Sequence, residues 1–224
     1  MKTGISVTSY NRPAHLDLWV EQITKHSPED VKVHIEIEKK EDRRGIAFRK
    51  NNCLRALNDC DYIFLFDDDC FPIADGWIEY FIDLHKKTKQ HHFLYMKETT
   101  TIRMLKIQNN ISIYDNCGGA FIFLTKEVLK KVGGFCKDYG IYGYEHAGYS
   151  HRIHSAGLNT IGKYLCPKDA GKYLYAMDYD SYLPFNKQVN HAPSLINEIG
   201  NIGKFVNQNK VVYLEDIKTI NQPL

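Results

Sequence analysis

Residues 62–69 read Tyr-Ile-Phe-Leu-Phe-Asp-Asp-Asp, and the junction between the apolar run and the acidic triplet decides the fold. Tyr62–Phe66 fits a strand buried on both faces, the pattern of a central strand in a sheet covered by helices. Asp67, Asp68 and Asp69 then fall at its carboxyl end, the edge at which open α/β sheets bind ligands. Adjacent carboxylates repel, so a cluster there calls for a cation or dense hydrogen bonding. Alternate residues of an extended segment share a side, so Asp67 and Asp69 converge while Asp68 points elsewhere. Oxygen donors of this kind suit Mg²⁺ or Mn²⁺, which in turn hold a diphosphate. The competing reading is a solvated acidic loop in which one Asp caps a helix.

Upstream, Gly4–Ser9 reads as a buried strand that ends at Tyr10-Asn11-Arg12-Pro13, where Pro13 suits a first helical turn. A helix is expected over Ala14–Lys25. Val31–Ile37 places Val31, Val33, Ile35 and Ile37 between polar neighbours, the period of a half-buried strand. Lys39–Arg44 is a charged loop closed by Gly45, and Ile46–Leu57 has helical spacing. Strand and helix alternate up to residue 66, so parallel strands joined by right-handed crossovers follow. Downstream, a helix is expected over Asp75–Lys87 and strands over His91–Met96, Thr101–Ile107 and Ile111–Tyr114. Gly118-Gly119 opens a strand through Leu124, and a short helix from Thr125 ends at Gly133-Gly134. A Gly/Tyr-rich loop then leads into a helix over Glu145–Ala156. Beyond Lys168 the expectation is a helix from about Pro193 to Asn207 and a last strand at Val211–Leu214.

The 224 residues are 43% hydrophobic and 25% charged, an ordinary globular composition that excludes wholesale disorder. With 29 basic and 27 acidic residues the net charge is +2, which gives no reason to expect nucleic acid or an anionic membrane as the main partner. The apolar runs are far shorter than the ~20 residues of a membrane span. Residues 1–13 lack the apolar core and cleavage site of a secretory signal. The expected location is therefore cytoplasmic, or the cytoplasm of a host for a viral chain. Six cysteines occur without a CxxC pair and read as free thiols.

Several stretches together resemble GT-A fold glycosyltransferases of the family 2-like type. Asp67-Asp68-Asp69 after a strand looks like their DxD motif. Ile5-Ser6-Val7-Thr8-Ser9-Tyr10-Asn11-Arg12-Pro13 resembles their first strand and the turn after it. Arg44-Gly45-Ile46-Ala47-Phe48-Arg49-Lys50-Asn51-Asn52 is similar to their Gly-x-Ala-x-x-Arg-Asn helix start. Gly143-Tyr144-Glu145-His146, with Arg152-Ile153 downstream, resembles their acidic helix-start motif, and Gly118-Gly119-Ala120 precedes it. The resemblance implies an α/β, Rossmann-like three-layer sandwich whose mixed sheet is mostly parallel in its N-terminal half. It also implies a donor pocket lined by Thr8, Tyr10, Asn11, Arg12, Arg49, Asp67, Asp68 and Gly119. Glu38 or Glu36 would stand where the family commonly has an Asp against base or ribose. The metal, Mn²⁺ or Mg²⁺, would be held by Asp67 and Asp69, with His191 as the third ligand by order. The base for the acceptor hydroxyl falls on Glu145, or on His146, which replaces the Asp usual in several relatives.

The expected organisation is a single domain with a nucleotide-sugar-binding half (1–97), an acceptor half (98–168) and a C-terminal appendage (169–224). The expected activity is metal-dependent, inverting transfer of a sugar from a nucleoside diphosphate donor, UDP-linked by preference, to an acceptor hydroxyl, by default on a glycan. The strip Lys86-Lys87 to His91-His92 keeps a DNA acceptor bearing a hydroxymethylated base open. A nucleotidyltransferase, or a non-catalytic sugar-nucleotide or glycan-binding module, is the rival on the same fold. The oligomeric state is open.

Overall fold

The computed structural model describes residues 1–180 and 202–224. In chain order the main elements are β1 (Thr3–Tyr10), α1 (Pro13–His26), β2 (Lys32–Glu38), α2 (Ile46–Ala56), β3 (Tyr62–Asp67), β4 (Cys70–Pro72), α3 (Trp77–Thr88), β5 (His92–Leu94), β6 (Met104–Gln108), β7 (Ile111–Tyr114), β8 (Phe121–Thr125), α4 (Lys126–Val132), α5 (Glu145–Ser155), β9 (Tyr164–Pro167), β10 (Leu174–Ala176) and α6 (Ile202–Asp216).

The central five-stranded sheet has the order β2-β1-β3-β8-β5. β1 runs parallel to both β2 and β3, whereas β8 is antiparallel to β3 and to β5. The sheet is thus parallel in its N-terminal half and mixed beyond it. β10 pairs with β4, and β6, β7 and β9 form a third small sheet. No described helix is long and apolar enough to cross a membrane.

Aromatic packing fixes the face of the sheet that carries α1 and α3. Phe64 meets Trp77 edge-on at 4.8 Å and lies within 6.2 Å of Phe81 and Phe121. Trp19 of α1 meets Phe66 at 5.9 Å. Offset and edge-to-face rings of this kind add specificity to the large area they bury. On the opposite face α2 crosses the polar side of β2 and the end of β3, which brings its side chains to the acidic triplet.

Three short strands, β4, β9 and β10, were not expected from the sequence. Their pairing joins residues far apart in the chain, Tyr175 with Phe71 and Tyr164 with Tyr114, and carries no local signal. Val211–Leu214, expected as a strand, lies within α6. Tertiary contacts override its β-branched composition here. Asn209 Nδ2 donates to the Tyr139 carbonyl at 2.9 Å, and Asp216 receives the buried Arg152 at 3.2 Å and the Tyr139 hydroxyl at 3.0 Å.

β2 is half-buried as expected, but by its polar face. Val33, Ile35 and Ile37 are 45%, 39% and 51% exposed, while Glu36 and Glu38 turn under α2. Arg49 and Asn52 donate to Glu36 Oε1 at 3.1 and 2.7 Å. The backbone amides of Arg44 and Gly45 donate to Glu38 Oε1 at 2.6 and 2.5 Å. A period of two does not say which face a helix will cover; here the helix brings cations and amides, so it covers the carboxylates.

Truncating Phe64 to Ala removes the ring against which Trp77 and Phe81 of α3 pack. The expected loss is about 3–5 kcal/mol, read as a lowered midpoint in denaturant unfolding with an unchanged slope.

Candidate active site

The site begins where β1 ends. Asn11 adopts a left-handed φ of 52°, which Asn tolerates better than most residues. Arg12 caps α1 ahead of Pro13. This tight reversal sends the Arg12 side chain back across the tip of β3. Arg12 Nη1 donates to Asp69 Oδ2 at 2.9 Å, and its other terminal nitrogen pairs with Asp68 Oδ1. The Ser9 hydroxyl donates to Asp68 Oδ2 at 2.6 Å, and the Thr8 hydroxyl to Asp67 Oδ1 at 3.1 Å. Burial pushes the Asp68 carboxyl up to about 7 against the pull of Arg12.

A second cation enters from α2. Gly45, at φ 90°, lies so close to the 140–141 loop that an added Cβ would stand 2.0 Å from the Gly140 carbonyl oxygen. Ile46 N donates to the Ile141 carbonyl at 3.1 Å. This approach docks the start of α2 against the loop leading into α5 and sets Lys50, 1% exposed, between two carboxylates. Lys50 Nζ lies 3.2 Å from Asp67 Oδ1 and 3.7 Å from Glu145 Oε1, and donates to the Gly119 carbonyl at 3.1 Å. Burial disfavours the ammonium, yet Asp67 and Glu145 raise its pKa above the ordinary value.

Glu145 opens α5, and the residue before it, Tyr144, is held at φ 66°. A bulky side chain in the left-handed region stores strain, here at the position that aims Glu145. Glu145 is 3% exposed, and its Oε1 lies 3.1 Å from His146 Nδ1. Burial opposes its ionisation, but His146 and Lys50 hold its carboxyl down to about 2. His146 is correspondingly driven well above the ordinary imidazole value, Glu145 and Cys117 outweighing burial. The pair therefore stands as carboxylate and imidazolium at neutral pH. Gly119 permits it: an added Cβ there would sit 2.6 Å from His146 Nδ1. Glu145 Oε2 is buried with no hydrogen-bond partner among the described residues.

Thr8, Arg12, Asp67, Asp68, Asp69, Gly119, Glu145 and His146 are thus brought together in one network. Glu38 and Arg49 lie one step away. Arg49 reaches Glu36, Glu38 and Asp42, and these contacts brace the loop before α2. Tyr10 carries the Arg43 guanidinium 4.2 Å above its ring. His191 falls outside the described residues. Lys50 was missed as a site residue. Its signal was present in the sequence, since a lysine following Arg49 on the buried side of α2 needs carboxylate partners, and Asp67 supplies one.

The carboxylates can accept a hard cation. Asp67 Oδ1 is taken by Thr8 and Lys50, and Asp69 Oδ2 by Arg12; the second oxygen of each carries no hydrogen bond among the described residues. Burial raises the Asp67 pKa, and the charges of Asp69 and Glu145 add to it despite Lys50, so a further positive charge there relieves repulsion. No cluster of three or more His, Cys, Asp or Glu side chains able to hold a metal occurs among the described residues. Two carboxylates suit an ion whose remaining ligands are phosphates and water.

No family model matches the chain. It is 29% identical over 125 residues to an uncharacterized glycosyltransferase, R363, of Acanthamoeba polyphaga mimivirus, a match covering 52% of this chain and 48% of that protein. The chain thus spans about half the length of this curated relative. Among solved structures it is similar to GalNAc-T7 with UDP, GalNAc and Mn²⁺, at a TM-score of 0.57 and 13% identity over 75% of this chain and 42% of that one. It is also similar to the mannosyltransferase PcManGT of Pyrobaculum calidifontis with GDP-Man and Mn²⁺, at 0.53 and 12% over 98% and 73%. A third is S. aureus TarS with UDP, at 0.51 and 10% over 70% and 56%. The chain has the α/β fold of the GT-A glycosyltransferases.

Glu145→Gln removes an anion lodged between two cations. At pH 7 the variant is expected to lose about 3 kcal/mol or more of unfolding free energy. Because the folded carboxyl titrates near 2 against an ordinary 4.5, this contribution is fully present above about 4.5 and is lost as pH falls through about 2. Chemical denaturation of both proteins from pH 7 to pH 2 should show the two stabilities converging in acid.

Proposed function

We propose that the chain is a divalent-metal-dependent glycosyltransferase that moves a sugar from a nucleoside diphosphate donor to an acceptor hydroxyl with inversion. The observation that carries this reading is the meeting of Asp67 and Glu145 across one buried ammonium, Lys50, at the carboxyl end of β3. Donor-side and acceptor-side carboxylates are thereby held at a fixed separation before any substrate arrives.

Asp67 and Asp69 would hold Mn²⁺ or Mg²⁺, and when bound the ion supplies Lewis-acid stabilisation of the departing diphosphate. Arg12 keeps Asp68 and Asp69 in place and adds positive charge on the phosphate side. Thr8 fixes the Asp67 rotamer. The donor nucleotide would lie over the ends of β1 and β2, beside Tyr10 and Asn11. UDP is the favoured nucleotide, since GalNAc-T7 and TarS are both solved with it.

Glu145 takes the role of base. His146 already carries its second proton and cannot accept another, whereas Glu145 Oε2 has no hydrogen-bond partner among the described residues and can receive a hydroxyl. In the step itself the acceptor O–H breaks toward Glu145, the acceptor oxygen bonds to the anomeric carbon, and the anomeric carbon's bond to the diphosphate oxygen breaks on the opposite face. A carboxylate this acidic is a weak base, so proton transfer completes late, once the donor bond has largely opened. Tyr142 stands near these charges. Burial, then Glu145 and Asp67, push its phenol up to about 12, and its half-open ring suits the apolar face of a sugar. This favours a glycan acceptor.

Calorimetry with UDP and Mn²⁺ and turnover of UDP-sugars test the assignment. Asp69→Asn should weaken Mn²⁺-dependent UDP binding by at least about tenfold. Glu145→Gln, where it stays folded, should keep that binding and lose turnover by about 100-fold or more. Undiminished turnover in Glu145→Gln overturns the choice of base, and Mn²⁺-independent UDP binding overturns the metal site.

A further inference from the structure

With Glu145 read as the base of the transfer proposed above, the geometry points to Asn209 of α6 as the residue that positions it, by holding the carbonyls of the loop that leads into α5. The loop needs such a hold. Gly140, Gly143 and Tyr144 are all left-handed, at φ 64°, 102° and 66°, and the last of these is a bulky residue in a costly conformation. α2 fixes the middle of the loop, where Ile46 N donates to the Ile141 carbonyl at 3.1 Å. Asn209, 3% exposed, fixes the rest. Its Nδ2 donates to the carbonyls of Tyr139 at 2.9 Å, of Tyr142, and of Gly143 at 3.4 Å. Asn is a poor helix former because its side chain competes for backbone groups. Inside α6 that tendency is turned outward, onto the carbonyls of a neighbouring non-helical loop.

One face of α6 carries the whole contact. Asn209, Tyr213 and Asp216 fall at i, i+4 and i+7, which places them on one side of a helix. Tyr213 stacks on Tyr144 at 5.8 Å, the ring planes 24° apart, and meets His151 edge-on at 6.1 Å. Asp216 receives Arg152 and the Tyr139 hydroxyl. Gly148 makes room for this, since an added Cβ would stand 2.1 Å from that hydroxyl. The face thus grips the chain before Glu145, at residues 139–144, and after it, at residues 151–152. Tyr213 and Asp216 seat one helix on another. Asn209 acts on the loop itself, up to the carbonyl two residues before Glu145. A misplacement of about 1 Å in a reacting group is enough to cost about 100-fold in rate, so a donor that fixes Tyr142 and Gly143 governs both the base and the aromatic ring beside it.

Two variants of the full chain test this. Asn209→Ala removes the donors, and Asn209→Asp removes them at nearly unchanged shape. Ile82→Val, a trim of a buried residue in α3, is the control for lost stability alone. The direct readout is the titration of His146, followed by NMR of its imidazole in the folded proteins. Against the opposing effect of burial, Glu145 and Cys117 hold that imidazole well above its ordinary value. A loosened loop lets the Glu145 carboxylate move off, so His146 should titrate lower in both Asn209 variants and stay unmoved in Ile82→Val. The second readout is kinetic. Both Asn209 variants should lose kcat by about tenfold or more on any UDP-sugar that wild type turns over. Their Mn²⁺-dependent affinity for UDP should stay within about twofold, because Arg12, Thr8 and Lys50 still hold the aspartates. An unmoved His146 in both Asn209 variants, an equal shift in Ile82→Val, or an undiminished kcat each overturns the positioning role. A wild type that turns over no UDP-sugar overturns the transferase reading instead, and the His146 titration still decides whether Asn209 places Glu145.

Discussion

Four carboxylates, Asp67, Asp68, Asp69 and Glu145, stand together at one end of a largely apolar sheet, and the fold around them must answer for their charge. In water such a group costs little; at this depth each ionised carboxylate needs a partner or gives up its charge. The chain answers with Arg12 from the β1–α1 turn and Lys50 from α2, and with the imidazolium of His146. These cations come from three separate segments. Neutralising the triplet therefore also brings β1, α2 and α5 to a single point.

The division of labour among them follows from geometry. Arg12 is a planar fork and spans two neighbouring aspartates, which a lysine does poorly. Lys50 is a compact charge on a long stem and can sit in a pocket walled by the Gly119 carbonyl, Asp67 and Glu145. Each aspartate that the resemblance assigns to the metal keeps one oxygen outside these contacts. Internal cations thus hold the carboxylates in place without using all of their ligand capacity, and the charged groups stand assembled by the fold itself. For the proposed sugar transfer, such preorganisation would spare the reaction the cost of gathering charges at the moment of transfer.

What could be read from the residues was whatever leaves a local trace. The apolar run ending in Asp67-Asp68-Asp69, the break at Asn11-Arg12-Pro13, and the helix start at Glu145 after Gly143 all carry their signals within a few positions, and all are found where expected. Lys50 was legible in principle, as a charged residue on the buried side of a helix, but its partners are 17 and 95 positions away. Val211–Leu214 shows the opposite failure: β-branched residues suggested a strand, while Asn209 and Asp216, anchored on Tyr139 and Arg152, hold a helix. β4 and β10 are shorter still, and their pairing of Cys70–Pro72 with Leu174–Ala176 is set by the return of a distant segment.

The outward face of β2 follows from the same electrostatics. Gly45 brings α2 against the 140–141 loop so that Lys50 can reach Glu145, and the turn into α2 needs its backbone amides satisfied. Glu38 accepts from Arg44 and Gly45, and Glu36 accepts from Arg49 and Asn52, so both glutamates must face α2. Alternation along the strand then leaves Val33, Ile35 and Ile37 on the opposite face, beyond the reach of α1's core. The strand cannot slip by one residue to bury them without turning Glu36 and Glu38 away from the amides and the guanidinium they hold. An exposed aliphatic edge is thus a consequence of how β2 and α2 are joined.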